Sequence, residues 1–288
     1  MSELNWNEWI GRSQTAQDIA AHSPVRRLAA TLNRDWDSFC PANALPPLAH
    51  WLYFLPCEAQ SQLGEDGHAK KGSSNGLLPP VALPRRMWAG SQIQFHKDIP
   101  LASVIERTSR IANITSKNGR TGQLVFVKVT HEIKCNGDLA ITDCHDIVYR
   151  EAVSGGSNAT SAAVPAPTNE QFARRIEPDA TLLFRYSALT FNGHRIHYDY
   201  PYVTQVEGYP GLIVHGPLIA TLLLDELRIQ YPSARITAYE FKAMSPLFHH
   251  QSFEVCGRID DGSNGKAVTL WARGHSGALA MQATAMLG

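Results

Sequence analysis

Apolar and polar residues alternate with a period of two over Ser91 to His96, Val104 to Ile114, Leu124 to Cys135 and Leu139 to Tyr149, a pattern that predicts half-buried strands. Lys117-Asn-Gly119 and Cys135-Asn-Gly-Asp138 supply the Asn-Gly signals of tight antiparallel hairpins. Arg235 to Lys242, Ser252 to Ile259, Val268 to His275 and Ala278 to Leu287 repeat the pattern, with turns at Asp260-Asp-Gly262 and Asn264-Gly265. Asp179 to Leu189 also alternates and reads as a strand, and Pro41 to Pro56 holds a strand-like aromatic core bounded by prolines. Two stretches read as helical. One spans residues 3 to 35, with Ser23-Pro24 opening a segment through Leu32; the other runs from Leu212 to Leu227 and is apolar nearly all round from Leu218 to Leu224. A helix without a polar face belongs in a core. Helices followed by long meandering strands, without βαβ alternation, predict an antiparallel α+β architecture.

The polar segment Glu58 to Asn75, with Gly64, Gly67, Gly72 and Lys70-Lys71, reads as a mobile surface loop. Val153 to Thr168, rich in Gly, Ser, Ala and Pro, reads as a linker. The expected organisation is therefore a first unit over residues 1–152, a linker over 153–168 and a second unit over 169–288. A short internal echo relates His22-Ser-Pro24 with Ala30-Thr-Leu32 to His215-Gly-Pro217 with Ala220-Thr-Leu222, as a duplication with one helix per unit would produce.

Composition narrows the function classes. With 288 residues, 44% of them hydrophobic and 18% charged, the chain can bury a sizeable core. Lys+Arg and Asp+Glu both number 26, so no bulk charge attracts nucleic acid or anionic lipid. The five cysteines are scattered and odd in number, which suits reduced thiols and a cytoplasmic location. The amino terminus has no basic and apolar leader pattern, and the apolar helix is too short for a bilayer.

Chemistry gathers between Thr190 and Leu227. His194, His197 and Asp199 fall within six residues, followed by Tyr198, Tyr200 and Tyr202 and by a turn at Gly208-Tyr-Pro-Gly211. His215-Gly216-Pro217 then opens the apolar helix, with Gly216 at the expected N-cap and Pro217 at the first helical position. The free amides of Gly216, Leu218 and Ile219 and the helix dipole suit a carbonyl oxygen that gains negative charge. An imidazole nearby would add proton transfer. His194-x-x-His197 with Asp199 could also ligate zinc or iron, but no fourth donor accompanies them, so no metal is expected. Gly274-His-Ser276-Gly-Ala278 misses the nucleophile-elbow spacing, and Gly262-Ser-Asn-Gly265-Lys266 misses that of a phosphate-binding loop. Arg85-Arg86 and Lys70-Lys71 read as solvated charges or as contacts for ligand phosphates.

Asn192-Gly-His194-Arg-Ile-His197-Tyr-Asp199 and Glu207-Gly-Tyr-Pro-Gly-Leu-Ile-Val-His215-Gly216-Pro217-Leu218 resemble the hydratase 2 motif of MaoC-like hot-dog enoyl-thioester hydratases and dehydratases. Trp51-Leu-Tyr-Phe54, Met87-Trp-Ala-Gly90 and Gly122 to Glu132 resemble landmarks of the branch with a degenerate first hot-dog unit. That branch comprises type 2 hydroxyacyl-thioester dehydratases and mesaconyl-C4-CoA or itaconyl-CoA hydratases. The resemblance implies a double hot-dog fold with two antiparallel sheets, each wrapped on a central helix, a cytoplasmic enzyme that forms a homodimer or higher homo-oligomer, and no cofactor beyond the CoA of its acyl-CoA substrate. It implies a role in itaconate degradation, with hydration of itaconyl-CoA or mesaconyl-C4-CoA to citramalyl-CoA. Dehydration of (R)-3-hydroxyacyl thioesters, thioester hydrolysis and non-catalytic acyl binding are the alternatives.

Within that resemblance His197 falls on the catalytic histidine and the Gly216 amide on the donor to the thioester oxygen. Asn192 replaces the aspartate usual five residues before the histidine, and an amide can position water but cannot exchange a proton with it. His194 stands where asparagine is usual. His194, Asp199, Tyr202, Gly211 and His215 are expected to line the substrate site. Either His197 acts as both base and acid, or His194, Asp199 or Glu207 supplies the second proton-active group. Arg185, Arg195 or Arg273 is expected to meet the free carboxylate of a dicarboxylic acyl group.

Overall fold

The computed structural model describes residues 6–70, 76–119, 122–151 and 163–288. Among these residues ten strands form one sheet in the order β1-β3-β4-β5-β2-β7-β10-β9-β8-β6. Their ranges are β1 Ser13–Ile19, β2 Arg85–Phe95, β3 Val104–Gly119, β4 Gly122–Cys135, β5 Asp138–Arg150, β6 Phe172–Ile176, β7 Ile236–Ala243, β8 Phe253–Ile259, β9 Ala267–Arg273 and β10 Leu279–Leu287. All neighbouring pairs are antiparallel. The order is pseudo-symmetric: each half reads inward from its edge strand, and β2 and β7 join the halves, with Gly90 opposite Lys242 and Gln94 opposite Ala238. The two expected sheets are thus continuous. A Cβ on Gly90 would lie 2.4 Å from the Phe241 carbonyl oxygen, so only glycine permits this approach.

Among the described residues four α-helices lie with the sheet: α1 His22–Thr31, α2 Trp36–Phe39, α3 Ala180–Leu189 and α4 Gly216–Gln230. In α4 every residue from Leu218 to Leu227 is buried, the expected all-round apolar run Leu218 to Leu224 and three residues beyond it, and the helix packs on β8, β9 and β10. Each fully buried leucine there contributes about 1.5–3 kcal/mol of transfer free energy. The two carboxylates in this run need partners at such burial. Asp225 meets Arg34 and Arg174 at 3.2 Å each, and Glu226 meets Arg174 at 2.6 Å. No helix among the described residues is long and apolar enough to cross a membrane.

Among the described residues the first half has no counterpart of α4: between α2 and β2 lie three short turns, Pro41–Asn43, Gln60–Gln62 and the longest, Ala49–Leu52. Its side chains cover a row of polar groups on neighbouring strands, set by register: Ser109 opposite His131, His131 opposite Asp143, and His145 opposite Ser91. Asp143 is 1% exposed, and its Oδ2 accepts from His50 Nε2 at 3.0 Å, Trp51 Nε1 at 2.9 Å and His145 Nε2 at 2.9 Å. Ser91 donates to the other oxygen. Burial would raise the carboxyl pKa; the charge and hydrogen bond of His145, with those of His50, outweigh it and hold it well below the usual range.

Several expectations change. Residues 13–19 form strand β1, paired with β3 from Ser13 opposite Arg110 to Ile19 opposite Val104, so edge pairing overrides the helical reading of residues 3–35, and among the described residues of that span 22–31 is the only α-helix. Asp179 to Leu189 is no strand. Asp179 caps α3 by accepting from the Leu182 amide at 2.7 Å, and Leu183, Tyr186 and Ser187 are buried at helical spacing. Pro41 to Pro56 forms tight turns, with left-handed backbone at Ala42, Asn43, Leu48 and Phe54, instead of a strand. The echo between α1 and α4 joins unlike elements: α1 follows β1 as α3 follows β6. Gly119 pairs with Gly122 within the β3–β4 ladder, and the turn between them lies outside the described residues. Most of the expected linker, residues 152–162, also lies outside them, as do residues 71–75 of the polar loop.

Candidate active site

Three imidazoles meet where α3 ends and α4 begins. Thr190 closes α3, and Asn192 turns the chain by accepting the His194 amide on Oδ1 at 3.0 Å. One turn, Arg195–His197, then places His197 against the segment before α4. Ile213 donates its amide to the Ile196 carbonyl at 3.0 Å, and His197 Nδ1 donates to the Ile213 carbonyl at 2.7 Å. A carbonyl can only accept, so Nδ1 carries the proton and Nε2 presents a lone pair. The His197 ring lies on that of His215, with centroids 3.7 Å apart. His194 stands edge-on to His197 at 5.5 Å. His215 is 1% exposed and shares a hydrogen bond with Ser187 Oγ through Nε2 at 2.8 Å.

His215 is the N-cap residue and Gly216 the first residue of α4, one position earlier than the sequence suggests. A Cβ built on Gly216 would meet nothing within 4 Å. The positive end of a buried helix therefore opens onto unfilled space beside the imidazoles. Burial, reinforced by the charge of His194, lowers the pKa of His197 to about 3. Burial and then His68 lower that of His194 to about 3, and burial with His197 holds His215 well below the ordinary value. At neutral pH all three rings are uncharged.

Other expected residues have structural partners. Asp199 accepts both Arg195 Nε at 2.9 Å and Nη2 at 2.7 Å, and the Tyr202 amide at 3.1 Å. Glu207 accepts the Tyr202 hydroxyl at 3.1 Å and faces Arg85 at 3.4 Å. Tyr202 is buried beneath the Arg195 guanidinium, 4.1 Å from its ring centre. Gly211 packs against His249 and His250, where a Cβ would lie 2.7 Å from His250 Nδ1. Of the proton-active candidates beside His197, His194 alone is free of an ion pair or carboxylate partner among the described residues. Arg273 is held by Glu170 at 2.7 Å and Glu254 at 2.8 Å, and Arg185 is exposed on α3. Arg86 of β2 hydrogen-bonds the Tyr149 side chain, and its charge adds a smaller contribution, after burial and His68, to the lowered pKa of His194.

The polar loop contributes a pair of groups that its composition did not announce. Asp66 Oδ2 bonds His68 Nδ1 at 3.1 Å, and the His68 ring lies 4.1 Å from that of His194. Gly67 has φ +87°, and a Cβ there would lie 1.9 Å from the Gly193 carbonyl oxygen, so two glycines let the backbones touch. Arg195 fastens the contact, its amide donating to the Asp66 carbonyl and its Nη1 to the Glu65 carbonyl, both at 2.9 Å. The sequence signal was Asp66-Gly-His68 after Gly64. Asp66, His68 and His194 offer ligand atoms within 4.8 Å of one another, a set that would also suit a divalent cation.

Solved structures with the same architecture define the class. A MaoC-like dehydratase matches with a TM-score of 0.71 and 15% identity, covering 96% of this chain and 98% of that one. A Mycobacterium tuberculosis protein described as having a double hotdog fold matches with a TM-score of 0.58 and 11% identity over 97% and 96% of the two chains. The protein thus has an α+β double hot-dog fold. Residues 48–249 match the family model of hydroxyacyl-thioester dehydratase type 2, and the chain belongs to that family, which makes it a hydro-lyase acting on acyl thioesters. The mesaconyl-C(4)-CoA hydratase of Chloroflexus aurantiacus is 43% identical over 288 residues, all of both chains.

Proposed function

We propose that the protein adds water reversibly to a short, branched, dicarboxylic 2-enoyl-CoA of the mesaconyl-C4-CoA type, giving citramalyl-CoA. The observation that carries this reading is the uncharged His197, with its proton fixed on Nδ1 by the Ile213 carbonyl, beside the unfilled amino end of α4. Identity to a mesaconyl-C(4)-CoA hydratase along the whole chain supports the substrate class. Asn192, His197 and Gly216 carry the chemistry; the second unit, residues 169–288, supplies them, and residues 1–152 complete the sheet. A homodimer or higher oligomer and a cytoplasmic role in itaconate degradation belong to the same reading.

The thioester oxygen accepts from the Gly216 amide, which draws π-electron density from C3 toward oxygen. His197 Nε2 takes a proton from the water as its oxygen bonds C3, and the C2=C3 electrons move onto the thioester as an enolate. A buried imidazole that is a weak base at rest gains basicity as this negative charge develops beside it. Asn192, which cannot exchange a proton, orients the water. C2 is then protonated and the thioester carbonyl re-forms. No step uses a cofactor. Arg86 would face the free carboxylate of the acyl group, so Arg86→Gln should raise KM for mesaconyl-C4-CoA and leave that for crotonyl-CoA unchanged.

Loss of enoyl absorbance and a mass gain of one water, scored on mesaconyl-C4-CoA, itaconyl-CoA and crotonyl-CoA, tests the reaction. His197→Ala should abolish it with the fold intact; retained turnover would rule out the assigned base. Release of free thiol without water addition would instead favour a thioesterase, because a shared scaffold does not separate the two reactions.

A further inference from the structure

Of the three donors His194, His197 and Asp199 in the motif segment, His194 alone joins a set that can converge on one point, among the described residues. His197 Nδ1 is given to the Ile213 carbonyl and its ring lies on His215, while Asp199 is held by Arg195. The companions of His194 come from the polar loop of the first half. Asp66 Oδ2 lies 3.1 Å from His68 Nδ1, and the His68 ring lies 4.1 Å from the His194 ring. We propose that Asp66, His68 and His194 form a binding site for a divalent cation of the zinc class, which fastens the polar loop of the first half to the segment that carries His197.

The spacing is that of ligands to a small cation. Zinc bonds imidazole nitrogen and carboxylate oxygen at about 2.0–2.2 Å, so the ligand atoms of a tetrahedral site stand about 3.3 Å apart. The Asp66–His68 pair is already that close. One ligand atom from each of the three residues falls within 4.8 Å of the others, so His194 has to close by no more than about 1.5 Å, a side-chain rotation. Asp66 Oδ1 is taken by the His68 amide at 3.0 Å, which leaves Oδ2 as the ligand oxygen. A cation between Oδ2 and Nδ1 replaces the hydrogen that they share, and the imidazole proton moves to Nε2. All three residues are partly buried, so water from the open side can complete the coordination.

Two imidazoles and one carboxylate favour a borderline metal such as zinc over magnesium or calcium, which take oxygen ligands. The carboxylate charge offsets that of Arg86, which reaches His194. The backbone beneath the ligands is fixed beforehand. Gly67 has φ +87° and touches Gly193; Arg195 donates its amide to the Asp66 carbonyl and its Nη1 to the Glu65 carbonyl, both at 2.9 Å; Asn192 Oδ1 takes the His194 amide at 3.0 Å. Ligands held in place in this way lose little freedom when the cation binds. The cation takes part in none of the hydration steps. It ties together two segments far apart in sequence, and it stabilises the fold because the unfolded chain does not bring the three groups together.

The test uses the full-length protein with zinc alone as probe, and it reads metal instead of turnover, so its outcome is separate from that of the hydration reading. After stripping with a chelator, the protein should take up one zinc per chain, measured by metal analysis and by competition with a chromogenic chelator, and its thermal midpoint should rise with zinc concentration. Cobalt(II) in place of zinc should give the visible absorption of a four-coordinate ion. Asp66→Asn, His68→Gln and His194→Gln, each checked for folding by circular dichroism, should each weaken zinc binding by more than about 100-fold, above the cost of losing an outer partner of a ligand, and should remove the midpoint shift. His275→Gln should change neither. The two loop variants decide the matter if His194→Gln does not fold, because the Asp66 and His68 side chains are 40% and 26% exposed. Wild-type protein that retains no zinc overturns the inference, and the Asp66–His68 contact is then a hydrogen bond alone. A folded variant of any of the three residues that binds zinc as tightly as the wild type overturns it as well, since the metal then sits elsewhere. Zinc uptake at these residues by a protein that adds no water to any enoyl probe keeps this inference and removes the hydration reading.

Discussion

His197 lies flat on His215, with the two ring planes 18° from parallel. Because His215 is also the N-cap residue of α4, the stack ties the proton-accepting ring to the helix end that faces the carbonyl oxygen. The two halves of the chemistry, base and oxyanion donor, are thereby held at one fixed offset, the kind of preorganisation on which such sites depend.

The stack has one anchor that can be removed without touching either ring. Ser187→Ala leaves the buried Nε2 of His215 without its 2.8 Å partner, a loss of about 1–3 kcal/mol in stability. The thermal midpoint should drop accordingly, and kcat should fall by roughly tenfold as the His197 ring loses its backing, in line with the cost of small misplacements. Unchanged kcat in Ser187→Ala would show that the stack does not position the base.

Gly216→Ala separates stability from activity. No atom lies within 4 Å of the added methyl, and alanine is a better helix former than glycine, so the thermal midpoint should hold or rise by the equivalent of about 0.5–1 kcal/mol. The same methyl enters the space reserved for the thioester, and kcat/KM should fall by more than about tenfold, or 1.4 kcal/mol. Full activity would place the substrate elsewhere.

Acid should unfold the protein earlier than its carboxylates alone would require. An unfolded histidine titrates near pH 6.5, whereas His194 and His197 in the fold do so at about 3. Between these values the unfolded chain binds more protons, so stability is complete above about pH 6.5 and declines as pH falls, by up to about 1.4 kcal/mol per pH unit for each ring. Denaturant melts between pH 7 and 4 measure the slope, and His194→Gln should flatten it. An unchanged slope would contradict the buried, uncharged state.

In the first half, Asp143→Asn keeps the shape and removes the charge that four side chains address. Charge-assisted hydrogen bonds contribute about 1.5–3 kcal/mol each, so a loss of at least about 3 kcal/mol in denaturant stability is expected. A loss under about 1 kcal/mol would mean that the polar row does little to replace the missing helix.

Much of this was legible along the chain. The eight strands, and the buried run Leu218 to Leu224, follow from the apolar pattern alone. Where the reading failed, a local rule had competing outcomes. Asp179 followed by Thr-Leu-Leu-Phe fits a strand until its side chain is seen to cap the Leu182 amide. Ser13 to Ile19 has no strand propensity of note and is held by its partner β3. The histidines of the motif segment declared themselves; Asp66 and His68 did not, because a loop rich in Gly and Lys looks like solvent-facing chain, and only the close approach of Gly67 to Gly193 shows otherwise. The Asp143 row was hidden for a different reason: its members come from separate strands and meet only through register.

The β2–β7 junction has a consequence for how the molecule can be taken apart. Cleaving the chain between β5 and β6 would sever no hydrogen bond of that seam, so the nicked pieces should stay together; preparing either piece alone would bare a long central strand with every second amide and carbonyl unpaired. The isolated pieces would be sticky and short-lived, and mixing them during refolding would be the route back to a working enzyme.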